Sequence, residues 1–134
     1  MARAKPSATT TTELPSEEVS CGAMRTFFGI ARAWGLSTKE QITILGSPAR
    51  STFYSWKRAE GLVLPRDTLE RLSYIFGIYK ALQILLPKPE AADAWIRKPN
   101  TAPMFGGRSA LERMLSGQVA DLFVVRQYLD AQRG

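Results

Sequence analysis

The chain has 134 residues, 45% of them hydrophobic and 22% charged, which is the composition of a globular protein rather than of a disordered one. It contains no histidine and a single cysteine, so a histidine general base, a Ser-His-Asp triad, a zinc cluster and an intramolecular disulfide are excluded. No apolar run approaches the roughly 18 residues of a membrane span, and the first 18 residues lack the apolar segment of a secretory signal. We therefore expect a cytoplasmic protein without a metal site, and the composition disfavours an enzyme.

The net charge of +6 is unevenly distributed along the chain. Residues 21–60 carry six Lys and Arg residues against two Glu residues, whereas the residues from 87 onward carry seven basic and five acidic ones. A clustered basic excess favours an anionic partner. The first half of the chain is therefore the part in which a nucleic-acid contact is expected.

Three helices are predicted in the first half, after an N-terminal arm. Residues 1–20 are rich in Thr, Ser, Glu and Pro without apolar periodicity, which predicts a flexible arm. From Gly22 the apolar residues follow helical spacing up to Gly35: Met24, Phe27, Phe28, Ala31 and Trp34. Ser37 and Glu40 form a capping box that opens a short second helix ending at Gly46. A third helix places Phe53 and Trp56 on one face.

A longer helix is predicted to begin near Asp67 and to end before Pro87. Its apolar stripe is expected to comprise Leu69, Leu72, Ile75 or Phe76, Tyr79, Leu82 and Leu86. A central apolar helix of this kind can serve the core, a dimer contact, or both. We favour the core.

Three shorter helices are predicted in the last part of the chain. The first spans residues 89–97, with Ala92, Trp95 and Ile96 inward. Ser109 caps the second, which carries Leu111, Met114 and Leu115. The third runs from about Val119 to Gln132, with Val119, Leu122, Phe123, Val125 and Leu129 as its apolar residues. Only residues 61–65, GLVLP, are strand-like, so the predicted fold is all-α with about seven helices.

The second and third helices have the arrangement of a helix-turn-helix motif. Phe53 and Trp56 would hold the third helix against the core and leave hydroxyl and basic side chains outward, which suits base edges and phosphates. The candidate DNA-binding residues are Arg50, Ser51, Thr52, Tyr54, Ser55, Lys57 and Arg58. The alternative is a solvated basic helix on an ordinary helical bundle.

The stretch FGGRSALERMLSG, residues 105–117, contains two adjacent glycines before a helix start. A phosphate loop of the P-loop kind needs a lysine after its glycines and a strand before them, and both are missing here. An enzyme built on this loop is therefore the weakest hypothesis. A tight connection capped by Ser109 is favoured instead.

The C-terminal forty residues carry an ordered series of motifs: WIRKPN from Trp95, FGG, SALERML, a glycine followed two residues later by valine, and YLDAQRG at the end. This series resembles the toxin-binding domain of the Xre/MbcA/ParS antitoxin family. The helix-turn-helix at about residues 23–64 is similar to the Xre-like domain that precedes it in that family. The resemblance implies an Xre-like helix-turn-helix followed by a small helical toxin-binding domain.

The resemblance also implies a function and a division of the chain. Such proteins are antitoxins of type II systems that neutralise a RES-domain toxin, which consumes NAD or transfers ADP-ribose, by covering its active site. By analogy the toxin-binding residues are Trp95, Phe105, Arg108, Arg126, Tyr128, Gln132, Arg133 and Gly134. The expected division is an arm at 1–20, a helix-turn-helix domain at 21–64, a connecting helix at 65–88 and a toxin-binding domain at 89–134.

The expected partners are a cognate RES-domain toxin and operator DNA, with the chain a homodimer inside a toxin–antitoxin hetero-oligomer and autoregulating its operon. No membrane partner is expected. The alternative function is a stand-alone transcription regulator whose C-terminal domain only dimerises.

Overall fold

The computed structural model describes residues 16–58 and 61–134, and within these ranges the secondary structure is helical. The α-helices are α1 (Glu17–Trp34), α2 (Thr38–Ile44), α3 (Arg50–Arg58), α4 (Arg66–Leu85), α5 (Pro89–Ala94), α6 (Ala110–Met114) and α7 (Val119–Gln132). A short 3-10 helix, Trp95–Arg97, continues α5. The predicted all-α fold is confirmed, since the strand-like segment 61–65 is an irregular connection with Leu62 and Leu64 buried.

Helix α1 begins earlier than the sequence analysis predicted. The expected arm extended to residue 20, but residues 17–20 belong to α1; the part of the arm before residue 16 lies outside the described residues. Ser16 caps the helix by accepting a hydrogen bond from the Val19 amide at 3.0 Å. The buried Ser20 hydroxyl oxygen accepts a second bond from the Leu64 amide at 2.9 Å, so this first turn is held by the loop that follows α3.

The turn between α2 and α3 depends on glycine. The predicted capping box of α2 is confirmed, because the Glu40 amide donates to the Ser37 hydroxyl and the Glu40 carboxylate accepts from the Ser37 amide. After α2, Gly46 adopts a φ of +99°. A Cβ atom on Gly46 would lie 2.9 Å from the Nε of Arg71, so the guanidinium passes directly over the turn.

Helix α4 is the centre of the molecule, with α1, α5 and α7 packed around it. Of the predicted stripe, Leu72, Ile75 and Leu82 are buried, whereas Leu69, Tyr79 and Leu86 are only partly buried. Since α4 is covered on several sides, its buried surface also includes Thr68, Arg71, Ile78 and Ala81. The expectation that this helix serves the core is thereby confirmed.

The two last helices are joined by a short turn and fixed by a second capping box. Ser109 accepts from the Glu112 amide and Glu112 accepts from the Ser109 amide, as the sequence predicted. Helix α7 runs in the same direction as α4, because Gly117 lies at Arg71 and Arg126 lies at Gly77. Leu122, Val125 and Leu129 are the buried residues of α7.

The Gly46 turn gives a direct test of this packing. The substitution Gly46→Ala places a Cβ in a left-handed conformation and against Arg71, so we expect the free energy of unfolding to fall by about 2 kcal/mol. Gly29→Ala is the matched control, because Gly29 lies inside α1 with no atom within 4 Å of an added Cβ. That change should stabilise the chain by about 0.5–1 kcal/mol. Urea denaturation measures both, and equal effects would contradict the role given to Gly46.

Candidate functional site

Helix α3 presents a continuous polar and basic surface to solvent. All seven predicted DNA-binding residues are exposed, while Phe53 and Trp56 are buried and fix the rotation of the helix. The helix contains no acidic residue, and its last turn carries Lys57 and Arg58. The arrangement therefore offers hydroxyl donors and cations without a carboxylate that would repel an anion.

The side chain of Lys57 is held against aromatic rings at the edge of this surface. Its Nζ atom lies 5.7 Å from the centre of the Phe28 ring and 6.0 Å from that of Tyr54. Lys57 also lines a cleft of about 440 Å³ together with Arg32 of α1 and Gln41 of α2. The basic surface of α3 thus continues toward the C-terminal end of α1.

Three of the predicted toxin-binding residues form an aromatic cluster: Trp95, Phe105 and Tyr128. The Trp95 and Tyr128 rings are stacked with their centres 6.3 Å apart, and Phe105 meets Tyr128 edge-on at 5.3 Å. Phe105 is buried and the other two are partly buried. Tyr128 therefore lies inside α7 as a packing residue rather than in a free C-terminal tail.

The Gly-Gly loop has the geometry of a structural turn. Gly106 and Gly107 have φ values of +57° and +86°. The Gly107 amide donates to the Asn100 carbonyl at 2.9 Å, and the Asn100 amide donates to the Arg108 carbonyl at 3.0 Å. The loop is thus closed by its own backbone, and the Arg108 side chain is left exposed.

The C-terminal end of α7 is exposed beyond the aromatic cluster. Gln132, Arg133 and Gly134 are all exposed, and the Arg133 guanidinium lies 3.7 Å from the Asp130 carboxylate. Asp130 also pairs with Arg126 at 3.5 Å. Exposed pairs of this kind contribute little to stability, so the Arg133 side chain can exchange Asp130 for another anion at small cost.

Sequence reasoning missed two arginines that join the helix-turn-helix to the C-terminal part. Arg71 donates to the Gly117 carbonyl at 3.0 Å and pairs with Asp67 at 3.2 Å. Arg97 donates to the carbonyls of Trp34 and Gly35 and pairs with Glu40. For Arg71 helical spacing was the signal that could have found it, since it lies three residues after the buried Thr68 and four before the buried Ile75.

The turn before α7 is fixed by Asp121. Its carboxylate accepts hydrogen bonds from the Ser116 hydroxyl at 2.5 Å and from the Arg113 guanidinium at 2.8 Å. These donors lower the pKa of Asp121 below its ordinary value of 3.8, with the Ser116 hydrogen bond as the largest cause. The charged carboxylate thereby ties the first turn of α7 to Ser116 and Arg113.

Two kinds of site have no support in residues 16–58 and 61–134. No group of three or more His, Cys, Asp or Glu side chains there is placed to hold a metal ion. No helix in that part of the chain is long and apolar enough to cross a membrane. What the described residues do provide is a basic helix surface on α3 and an exposed terminus of α7.

Comparison with known proteins assigns both halves of the chain. Residues 22–77 match the model of the antitoxin Xre-like helix-turn-helix domain, and residues 81–134 match that of the antitoxin Xre/MbcA/ParS C-terminal toxin-binding domain. The chain is also 58% identical, over 111 residues, to the uncharacterized protein y4oB of Sinorhizobium fredii. That alignment covers 83% of this chain and 84% of the relative.

The lowered pKa of Asp121 predicts a pH-dependent contribution to stability. A carboxylate whose pKa falls on folding stabilises the folded state above its unfolded value of 3.8, and this contribution is lost as the pH falls through the folded value. We expect Asp121→Asn to cost about 1 kcal/mol at pH 7 and progressively less below pH 3.8.

Urea denaturation at a series of pH values measures this difference. Glu90→Gln is the control, because Glu90 is exposed and should change the stability little at any pH. If the loss of stability caused by Asp121→Asn stayed constant at every pH below 3.8, the hydrogen bonds from Ser116 and Arg113 would not be what stabilises the charged carboxylate.

Proposed function

The chain belongs to the Xre/MbcA/ParS family of antitoxins, and we propose that it neutralises a RES-domain toxin in a type II system and represses its own operon. The family gives it a helix-turn-helix domain and a toxin-binding domain. The RES type of the toxin, the autoregulation of the operon and the cytoplasmic location go beyond the family and are proposed here. The proposal is supported most directly by the exposed, acid-free face of α3 and by the exposed terminus of α7.

In the proposed DNA complex, α3 is the recognition helix. Its hydroxyl groups and Arg50 face base edges, while Lys57 and Arg58 contact phosphates. The cation–π contact between the Lys57 ammonium and the Phe28 ring limits the motion of the Lys57 side chain, which reduces the entropy lost on binding DNA. A homodimer would present two such helices to a two-fold operator.

In the proposed toxin complex, the end of α7 covers the NAD pocket of the toxin. The aromatic cluster of Trp95, Phe105 and Tyr128 gives this end of the helix a fixed base. Arg133 would then take the space of the NAD phosphates, for which a planar guanidinium is well suited. In this complex the antitoxin blocks a reaction and catalyses none itself, and it needs no cofactor.

The alternative is a stand-alone transcription regulator whose C-terminal domain only dimerises. The match of residues 81–134 to a toxin-binding domain favours the antitoxin over this alternative. The two are separated by whether a cognate toxin is neutralised when both proteins are produced in the same cells.

The DNA half of the proposal predicts that Arg50→Ala and Arg58→Ala weaken operator binding. Each change should lower the affinity by about 1 kcal/mol, or roughly fivefold. Loss of a phosphate contact should also reduce the slope of the logarithm of the binding constant against the logarithm of the salt concentration by about one. Fluorescence anisotropy at several salt concentrations measures both quantities. Lys88→Ala is the control, because Lys88 is an exposed cation outside the helix-turn-helix. Unchanged affinity in both arginine variants would place the DNA site elsewhere.

The toxin half predicts that removal of residues 132–134 weakens neutralisation. The deletion should leave Tyr128 and the buried Leu129 in place, so the thermal midpoint should remain near that of the full chain. Arg133→Ala should weaken toxin binding by about 1–3 kcal/mol, since a charged hydrogen-bond partner is lost. Growth rescue and calorimetric titration with purified toxin provide the measurements.

The control for this experiment is Lys98→Ala, an exposed cation of the same C-terminal part that does not belong to α7. It should neutralise as well as the parent chain. Full neutralisation by the chain lacking residues 132–134 would show that the terminus does not enter the toxin pocket.

A further inference from the structure

A cleft between α1 and α3 carries positive charge that no carboxylate in its lining neutralises. Arg32, in the last turn of α1, and Lys57, in the last turn of α3, both line this cleft of about 440 Å³. The two side chains are exposed, and neither is ion-paired with a residue that the structure describes. We call this surface the α1–α3 cleft. Both of its cations are available to an anion.

The rest of the lining strengthens the charge of the two cations. Phe28, Ala31 and Leu36 supply apolar walls. Charges of one sign between walls of low dielectric constant raise the local potential and attract counter-ions. The side-chain amide of Gln41, which also lines the cleft, donates to the Leu36 carbonyl at 3.0 Å. An anion in the cleft would therefore be held by the arginine and the lysine.

The end of α1 would by itself oppose an anion, because the last carbonyls of a helix carry partial negative charge. Here Arg97 donates to the carbonyl of Trp34 at 3.1 Å and to that of Gly35 at 2.8 Å. The same guanidinium lies 3.3 Å from the carboxylate of Glu40 at the start of α2. The negative groups at this end of α1 are thus already compensated by a cation from the C-terminal half of the chain.

Lys57 joins the α1–α3 cleft to the exposed face of α3. Its Nζ atom lies 5.7 Å from the centre of the Phe28 ring, in the cleft, and 6.0 Å from that of Tyr54. Tyr54 is 40% exposed and belongs to the surface of α3. A duplex that lies against this surface therefore brings its backbone to Lys57 and, with it, to the cleft.

We propose that the α1–α3 cleft binds one phosphate of the DNA backbone between Arg32 and Lys57. The guanidinium donates to phosphate oxygens through its fork of N–H groups, and the ammonium adds a further charge-assisted hydrogen bond. The inference rests on the proposed function for DNA as the partner, and it extends the DNA-binding surface from α3 to α1. Because a phosphate contact reads no bases, this site positions α3 on the duplex.

The substitution Arg32→Ala tests the cleft with two duplexes of equal length, one taken from upstream of the chain's own gene and one of scrambled sequence. We expect the affinity for both duplexes to fall by the same factor, roughly tenfold, because a charged hydrogen bond is lost and no base is read. The slope of the logarithm of the binding constant against that of the salt concentration should fall by about one. The thermal midpoint should stay near that of the parent, since Arg32 is exposed.

Arg25→Ala is the matched control. Arg25 is an exposed arginine of the same helix, two turns earlier, and lines a different cleft together with Glu17 and Glu18. Its removal changes the net charge by the same amount but should alter the affinity by less than about twofold, because the screened effect of a distant charge is small. An equal loss of affinity in both variants would show an effect of overall charge and would overturn the proposal.

A single methylphosphonate, which replaces one charged phosphate oxygen by a methyl group, locates the contact when it is moved along the duplex. At one position this neutral group should weaken binding by the parent chain and leave binding by Arg32→Ala unchanged. Lys57→Ala should be insensitive at the same position, because both cations hold the same phosphate. If either variant remained as sensitive as the parent at every position, no phosphate would lie between the two side chains.

The result is distinguishable from failure of the proposed function. Parent-like binding by Arg32→Ala, together with weakened binding by Arg50→Ala, would overturn the phosphate site and leave α3 as the DNA-binding surface. Equal binding of the parent chain to the two duplexes, with the effect of Arg32→Ala retained, would overturn the autoregulation and support the phosphate site. A parent chain that binds neither duplex would overturn both.

Discussion

The guanidinium of Arg71 is the contact on which the arrangement of the two modules depends. The residue is 9% exposed, and its side chain reaches the Asp67 carboxylate, the Gly117 carbonyl and the turn at Gly46. A buried cation is costly unless its donors are paired, and here the pairing partners come from both halves of the chain. The turn of the helix-turn-helix and the turn before α7 are therefore fixed relative to each other by one side chain.

Arg97 makes the corresponding contact from the C-terminal side. It donates to the carbonyls of Trp34 and Gly35 at the end of α1, where backbone acceptors have no helical partner, and reaches the capping carboxylate Glu40 of α2. Arg71 of α4 thus binds the turn before α7, whereas Arg97, which follows α5, binds the end of α1 and the start of α2. A ligand that shifts either module has to act against both sets of hydrogen bonds.

Local features of this fold could be predicted from the sequence, whereas the contacts between modules could not. The capping boxes at Ser37 and Ser109 follow from residues three apart, so the pattern alone indicates them. The carbonyl acceptors of Arg71 and Arg97 lie 46 and 62–63 residues away along the chain. No sequence period relates such positions. The early start of α1 has a similar cause, since its first turn is held by the distant Leu64 amide.

The candidate surfaces show the same division between local and long-range information. The outward face of α3 was predictable because Phe53 and Trp56 define the opposite face by spacing alone. On α7 the adjacent Leu122 and Phe123 both belong to the predicted set of apolar residues, and only Leu122 is buried. Periodicity allows either Leu122 or Phe123 to face α4. The rotation of α7 that buries Leu122 depends on two long-range contacts: the hydrogen bond from Arg71 to the Gly117 carbonyl, and the packing of Arg126 against Gly77. The exposure of Phe123 is thus a consequence of how α7 is packed against α4.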